Sequence, residues 1–202
     1  MGTRLIVIAA LAALPAVTTG CGAPVRRNVV YETDFSRPDP KSWTFHTGKW
    51  KFVGGALEQK DPSGYARRVA VLNRSVGDCI IEADGAVTAT NAGGHGTIGI
   101  IGKAIDPKKF DYLGFRYGAY GYMSGTGRLD ALFGGAWPQV GVTHRVKLIF
   151  VNNMVGVVVD GTLRGVRKDP FAGKKGKPGL YTESGVRYTR FKVTELKTAR
   201  DR

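Results

Sequence analysis

The sequence predicts an all-β fold, a two-sheet antiparallel sandwich, from three observations. His144 to Val151 alternates, with Val146, Leu148 and Phe150 on one face and Arg145 and Lys147 on the other. Asn152-Asn153, the apolar run Met154 to Val159, Asp160-Gly161 and Thr162 to Arg167 follow, which reads as a three-stranded meander with Asp-Gly in a type I′ turn. Its single apolar face must be covered by a second sheet. Glycine occupies 29 of 202 positions without a fixed period, about twice average usage, which favours a fold with many turns. Beyond the first segment no run supports a helix of about ten residues, while strand-like runs follow one another at close spacing.

In chain order, Met1 to Cys21 carries one positive charge (Arg4), an apolar run from Leu5 to Val17, and the small residues Thr18-Thr19-Gly20. The run is shorter than the roughly 20 residues that span a bilayer, so 1–20 reads as a signal peptide. Thr18-Thr19-Gly20-Cys21 resembles the bacterial lipoprotein box, although Thr18 stands where Leu is usual. That resemblance implies lipidation of Cys21, a tether over 21–28 and a place at the cell envelope. Cleavage near Ala23 would give a secreted chain instead. With Cys21 acylated, Cys79 has no partner for a disulfide and reads as a small buried apolar side chain of a strand.

The sandwich is expected over 29–197, with a basic tail at 198–202. Val29, Tyr31, Thr33 and Phe35 read as one strand face, ended by Pro38 and Pro40. Trp43 to Phe52 reads as a hairpin, and Val53 to Leu57 as a turn into the next strand. Asp61-Pro62-Ser63-Gly64 marks a turn. Tyr65 to Leu72, Cys79 to Thr88, Thr97 to Ile101, Phe110 to Tyr117 and Arg128 to Phe133 read as strands. Thr90 to Gly96 is a glycine-rich loop, and a Gly- and Tyr-rich stretch precedes Arg128. Lys177 to Tyr181 and Val186 to Leu196 close the fold, with Thr189, Phe191 and Val193 alternating against Arg190, Lys192 and Thr194.

Several motifs carry a resemblance. Asp34-Phe35, Trp43, Gly48-Lys49-Trp50 and Gly54-Gly55-Ala56-Leu57 resemble the opening of concanavalin A-like jelly-roll domains, and more narrowly the bacterial 3-keto-disaccharide hydrolase-like family, related to laminin-G-like folds. His144-Arg145-Val146-Lys147-Leu148 with Val159-Asp160-Gly161 matches the family's meander. Gly176, Gly179-Leu180-Tyr181-Thr182, Phe191 and Glu195-Leu196 match its close. The resemblance implies a two-sheet antiparallel jelly-roll sandwich, adjacent first and last strands, and a concave face that holds sugar in relatives. It also allows a structural calcium, with Asp34 and Asp160 as candidate ligands.

Glu82 and Asp84 lie two apart on one strand face, roughly 7 Å from each other by the strand rise, a spacing suited to glycoside cleavage. They are the candidate catalytic acid and base. Val87 stands where an E-x-D-x-x-E strand of jelly-roll glucanases has its third carboxylate. The other reading is an outward polar face with Cys79, Ile81 and Ala83 inward. Tyr112, Arg116, Tyr120 and Tyr122, with Trp137 on a loop, are the candidate ligand-binding set, because rings stack on sugar C–H groups and a guanidinium fork donates to hydroxyls or a carboxylate. The other reading of most of these rings is core and inter-sheet packing. Trp43 and Trp50 are assigned to the scaffold.

Gly94-His95-Gly96-Thr97-Ile98-Gly99 spells G-x-G-x-x-G but is followed by a strand pattern, which excludes a dinucleotide turn. His46, His95 and His144 lack metal-ligand spacing, so no metal site is expected from them. Lys and Arg total 30 against 16 acids, a net charge of +14. Such a field favours polyanions, whether nucleic acid, an anionic membrane surface or an acidic glycan. The basic pairs Arg26-Arg27, Arg67-Arg68, Lys108-Lys109 and Lys174-Lys175 are expected in loops and read equally as a solvated basic surface. With no zinc-finger spacing or basic helix, and with export expected, nucleic acid is not the expected partner, and basic loops would favour acidic glycans. The reading that follows is an exported, lipid-anchored carbohydrate-binding domain without catalysis of its own. The alternatives are a glycoside hydrolase acting on a disaccharide or its 3-keto derivative, and an envelope protein-interaction module.

Overall fold

The computed structural model describes residues 25–61, 67–106, 109–116, 119–124, 128–134 and 138–197. Residues 1–24, read above as a signal peptide and a tether that includes Cys21, and also Trp137 and the tail 198–202, lie outside the described residues. The elements in chain order are β1 (Arg26–Thr33), a 3₁₀ turn (Pro40–Ser42), β2 (Trp43–Thr47), β3 (Trp50–Phe52), β4 (Leu57–Gln59), β5 (Arg68–Leu72), β6 (Cys79–Ala89) and β7 (Gly99–Asp106). Then come β8 (Lys109–Arg116), β9 (Ala119–Ser124), β10 (Arg128–Gly134), β11 (Thr143–Val151), β12 (Met154–Val159), β13 (Thr162–Lys168), β14 (Lys177–Thr182) and β15 (Gly185–Lys197).

These strands form two antiparallel sheets. Sheet A runs β13-β12-β11-β6-β15-β4-β3, with β1 also paired to β15. Sheet B runs β10-β9-β8-β7-β14-β5-β2. The first and last strands are therefore neighbours, as the resemblance implies. The meander forms as read, with Val151 opposite Met154 and Val159 opposite Thr162, so each connection is two residues long. Asn152 and Asn153 have φ of 51° and 62°, and Asp160 and Gly161 have 50° and 78°, the paired positive angles of type I′ turns whose twist suits a hairpin.

Between the sheets lie Val146, Leu148, Phe150, Ile81, Ala83, Leu180, Phe191 and Val193, all fully buried, with Trp43 and Trp50 beside them. Each large aliphatic or aromatic side chain buried this way contributes about 1.5–3 kcal/mol. Tyr188 of β15 crosses the core. Its hydroxyl accepts from the Gly99 N–H at 3.0 Å and lies 2.7 Å from the Tyr181 carbonyl, joining sheet A to sheet B. Burial pushes its phenol well above the usual range. Opposite it, a Cβ on Gly85 would come within 2.8 Å of the Tyr188 ring, so the glycine makes room for the tyrosine.

Four expectations are corrected. Trp43 to Phe52 is not a hairpin: β2 belongs to sheet B and β3 to sheet A. The chain crosses at Gly48, where φ is +92° and a Cβ would meet the Arg68 side chain at 2.7 Å. The face Val29–Tyr31–Thr33–Phe35 is broken by a register shift between Val29 and Tyr31, and Phe35 lies past the strand at φ 59°. In β15 a shift between Tyr188 and Arg190 sets Thr189 on the surface, so Tyr188 and Phe191 are both buried. Finally, the Gly- and Tyr-rich stretch contains a strand, β9.

Candidate functional site

Glu82 and Asp84 alternate on β6 with Ile81 and Ala83, which are in the core, so the carboxylates occupy the outer side of sheet A. Register then sets their surroundings. Lys147, Glu82, Lys192 and Glu32 form one row across β11, β6, β15 and β1, and Arg145, Asp84 and Arg190 form the next. Lys147 Nζ lies 2.9 Å from Glu82 Oε1. The Arg145 guanidinium donates to both oxygens of Asp84 at 2.7 Å, a bidentate pair. Asp84 in turn raises the pKa of Arg145. Glu32 accepts from Arg190 and Lys192, each at 3.0 Å, and these bonds hold its carboxyl below the usual range. The pair of carboxylates proposed as acid and base is thus the middle of a charge ladder.

The candidate ligand-binding residues lie elsewhere. Tyr112 is opposite Ile101, in a row with Gly179 and Val71. Val71 and Ile101 alternate with the core residues Ala70 and Ile100, which places this row on the outer side of sheet B. Arg116 follows four residues along β8. Tyr120 and Tyr122 of β9 pair with Phe115 and Leu113, the alternate set of positions. By register the row of Tyr112 and the row of Glu82 and Asp84 belong to different sheets. On that outer side Val69, Val71, Ile101, Phe110 and Tyr181 form a second buried cluster, and the Tyr181 hydroxyl donates to Glu183.

An open hollow of about 530 Å³ lies where β1 ends. Tyr31, Glu32 and Thr33 of β1, Asp34, Ser36, Arg37 and Asp39 of the following loop, and Arg190 of β15 line it. The loop is pinned by Phe35, which is 2% exposed and packs against Trp43 and Phe52. Trp43 Nε1 donates to the Tyr31 hydroxyl at 3.0 Å and fixes that ring. Burial pushes the Tyr31 phenol above its usual range. Asp34 Oδ1 accepts from the Ser36 N–H and hydroxyl, at 2.9 and 2.6 Å, which holds its carboxyl below the usual range. The hollow offers one aromatic ring, several hydroxyls, three carboxylates and two guanidinium groups, a set able to hydrogen-bond and stack on a polar ligand. Sequence reasoning missed it because Arg190 arrives from 158 positions away from its partner Glu32.

Asp34 and Asp160, the candidate calcium ligands, sit on separate turns. Asp160 accepts from the Arg145 N–H and pairs with His144 Nδ1, both at 2.8 Å. Among the described residues no three His, Cys, Asp or Glu side chains are grouped to hold a metal ion. Cys79 is buried in β6.

No family model and no curated protein matches this chain. Solved structures do. A Bacillus subtilis protein of unknown function with a galectin-like fold superposes with a TM-score of 0.67 at 16% identity, covering 87% of this chain and all of that one. The potassium-bound carbohydrate recognition domain of Emp46p matches with a TM-score of 0.61 at 13% identity, over 80% of this chain and 94% of that one. A β-glucanase of Bacillus licheniformis matches with a TM-score of 0.61 at 12% identity, over 81% and 96%. The fold is therefore a two-sheet antiparallel jelly roll of the concanavalin A-like, galectin-like kind. Identities this low carry the architecture and nothing finer.

Proposed function

We propose that this chain is an exported carbohydrate-binding domain, held at the cell envelope by lipid on Cys21 and without catalysis of its own. The hollow at the end of β1 is the observation that supports it best: a fixed tyrosine ring beside hydroxyls, carboxylates and arginines, on a fold shared with a carbohydrate recognition domain. Sugar recognition needs this mixture, a flat apolar surface for C–H groups and donors and acceptors for hydroxyls. The fold is also that of a glucanase, and a hydrolase would require a carboxylate pair open to substrate. Glu82 and Asp84 are instead engaged by Lys147 and Arg145 on a sheet face. The net charge of +14 favours acidic glycans through electrostatic steering.

The test is a glycan array followed by titration of the best ligand. Shallow sugar sites bind in the millimolar to micromolar range, about −4 to −8 kcal/mol. Loss of binding in an Arg37→Gln/Asp39→Asn variant assigns the hollow. Loss in Tyr112→Ala/Trp137→Ala with the first variant unaffected moves the site to the β8 stretch and its loop. Absence of any glycan binding overturns the proposal.

A further inference from the structure

The strands of sheet A distribute charge unequally along their length. At one end β1 begins, with Arg26 opposite Lys197 and Arg27 opposite Leu196. The Leu196 N–H donates to the Asp78 carbonyl, and the Asp78 carboxylate accepts from the Asn152 N–H at 3.0 Å. Past that turn, Met154 lies opposite Lys168 and Val155 opposite Arg167. The turn after β13 brings Lys174 and Lys175 to the same end, where Lys175 Cγ reaches within 4.0 Å of the position of a Cβ on Gly77. Arg26, Arg27, Arg167, Lys168, Lys174 and Lys175 are all exposed. Among the described residues, Asp78 caps the Asn152 turn, Glu195 lies 3.7 Å from Lys197, and Asp169 is buried against Lys103.

This is also the end from which the chain departs toward Cys21. Four residues lie between Cys21 and Arg26, a reach of at most about 18 Å over the five steps. The hollow lies past the opposite end of β1.

We propose that this basic end is a docking surface for an anionic lipid bilayer. Exposed Lys and Arg near a membrane of negative surface potential are each attracted to it, within about a Debye length of 8–10 Å. The pairing rests on the lipid proposed at Cys21: a single acyl signal holds a protein only marginally, and a basic patch supplies the second. The arrangement sets the domain upright, with its base on the headgroups and the hollow turned away from them. It does not depend on what the hollow binds.

The test is co-sedimentation of the full chain, as isolated from the envelope, with two kinds of vesicle: phosphatidylcholine alone, and phosphatidylcholine with one part in three of phosphatidylglycerol. The readout is the ratio of the two affinities, which removes the contribution of any acyl chain. The proposal expects a ratio of about tenfold or more at low salt, falling toward one at 1 M salt where the Debye length is about 3 Å. Arg167→Gln/Lys168→Gln/Lys174→Gln/Lys175→Gln should bring the ratio close to one. Lys49→Gln/Lys51→Gln/Lys60→Gln, on the β3–β4 region away from that end, should leave it unchanged. Circular dichroism melts check that both variants fold. A wild-type ratio near one overturns the proposal, as does equal loss in the two variants. Binding of a soluble acidic polysaccharide that outcompetes the vesicles at the same four residues would reassign the surface to a glycan.

Discussion

The outer face of sheet A and the hollow beside it are built from the same side-chain types and do opposite things with them. On the sheet face, strand register sets each carboxylate beside a base: Glu82 beside Lys147, Asp84 beside Arg145, Glu32 beside Arg190 and Lys192. Around the hollow, the irregular chain after β1 leaves the ladder, and Asp34, Ser36, Arg37 and Asp39 line open space beside Glu32 and Arg190 while Phe35 anchors the loop in the core. A pair of acids two apart on a strand signals chemistry only when the neighbouring strands leave it uncovered. In this protein they do not.

Four changes break or sharpen that contrast, taken from the largest effect down. The limiting case of a paired charge is Lys103–Asp169, 2.6 Å apart with side chains 1% and 2% exposed, the ammonium lying 4.9 Å from the Phe150 ring. Asp169→Ala leaves that ammonium buried without its carboxylate, and the expected cost is about 3–5 kcal/mol in chemical denaturation. Second, Arg37→Gln/Asp39→Asn should weaken glycan binding tenfold or more, about 1.4 kcal/mol, with the melting curve unchanged. Third, Asp84→Asn should cost stability up to about 1 kcal/mol, since Arg145 is half exposed, while glycan binding stays within twofold.

The smallest change is a pH effect. The Glu32 carboxyl titrates below its unfolded value, so its contribution is present above the ordinary carboxylate range and is lost as pH falls through the lowered folded value. Stability measured across the acid limb should therefore fall less steeply in Glu32→Gln than in the wild type. An identical acid limb would show that the bonds from Arg190 and Lys192 do not operate in solution.

The fold was legible in the sequence where local chemistry dictates geometry. Asn152-Asn153 and Asp160-Gly161 permit positive φ and β11 alternates, so both two-residue turns could be placed in the sequence, whereas the register shift between Val157 and Val158 in the β12–β13 pairing leaves no mark in the apolar run. The hairpin read over Trp43 to Phe52 failed because alternation is the same whether a turn keeps the chain in one sheet or, like Gly48, carries it to the other. The alternation of β15 failed at Thr189 because a bulge leaves no compositional mark. Strand β9 was missed because Ala119 to Ser124 contains too few aliphatic residues to alternate.

The site was less legible for the same reason. The chemistry of Tyr112, Arg116, Tyr120 and Tyr122 suits a sugar, but register divides them between two sets of positions. The hollow depends on Arg190 meeting Glu32 across the pairing of first and last strands, a contact no local pattern encodes.

The most direct test of the central claim combines binding and turnover on one glycan selected by array. The account predicts that Glu82→Gln/Asp84→Asn binds it as the wild type does, that Arg37→Gln/Asp39→Asn does not, and that neither wild type nor variant releases reducing ends. Hydrolysis by the wild type that disappears in Glu82→Gln/Asp84→Asn would contradict it.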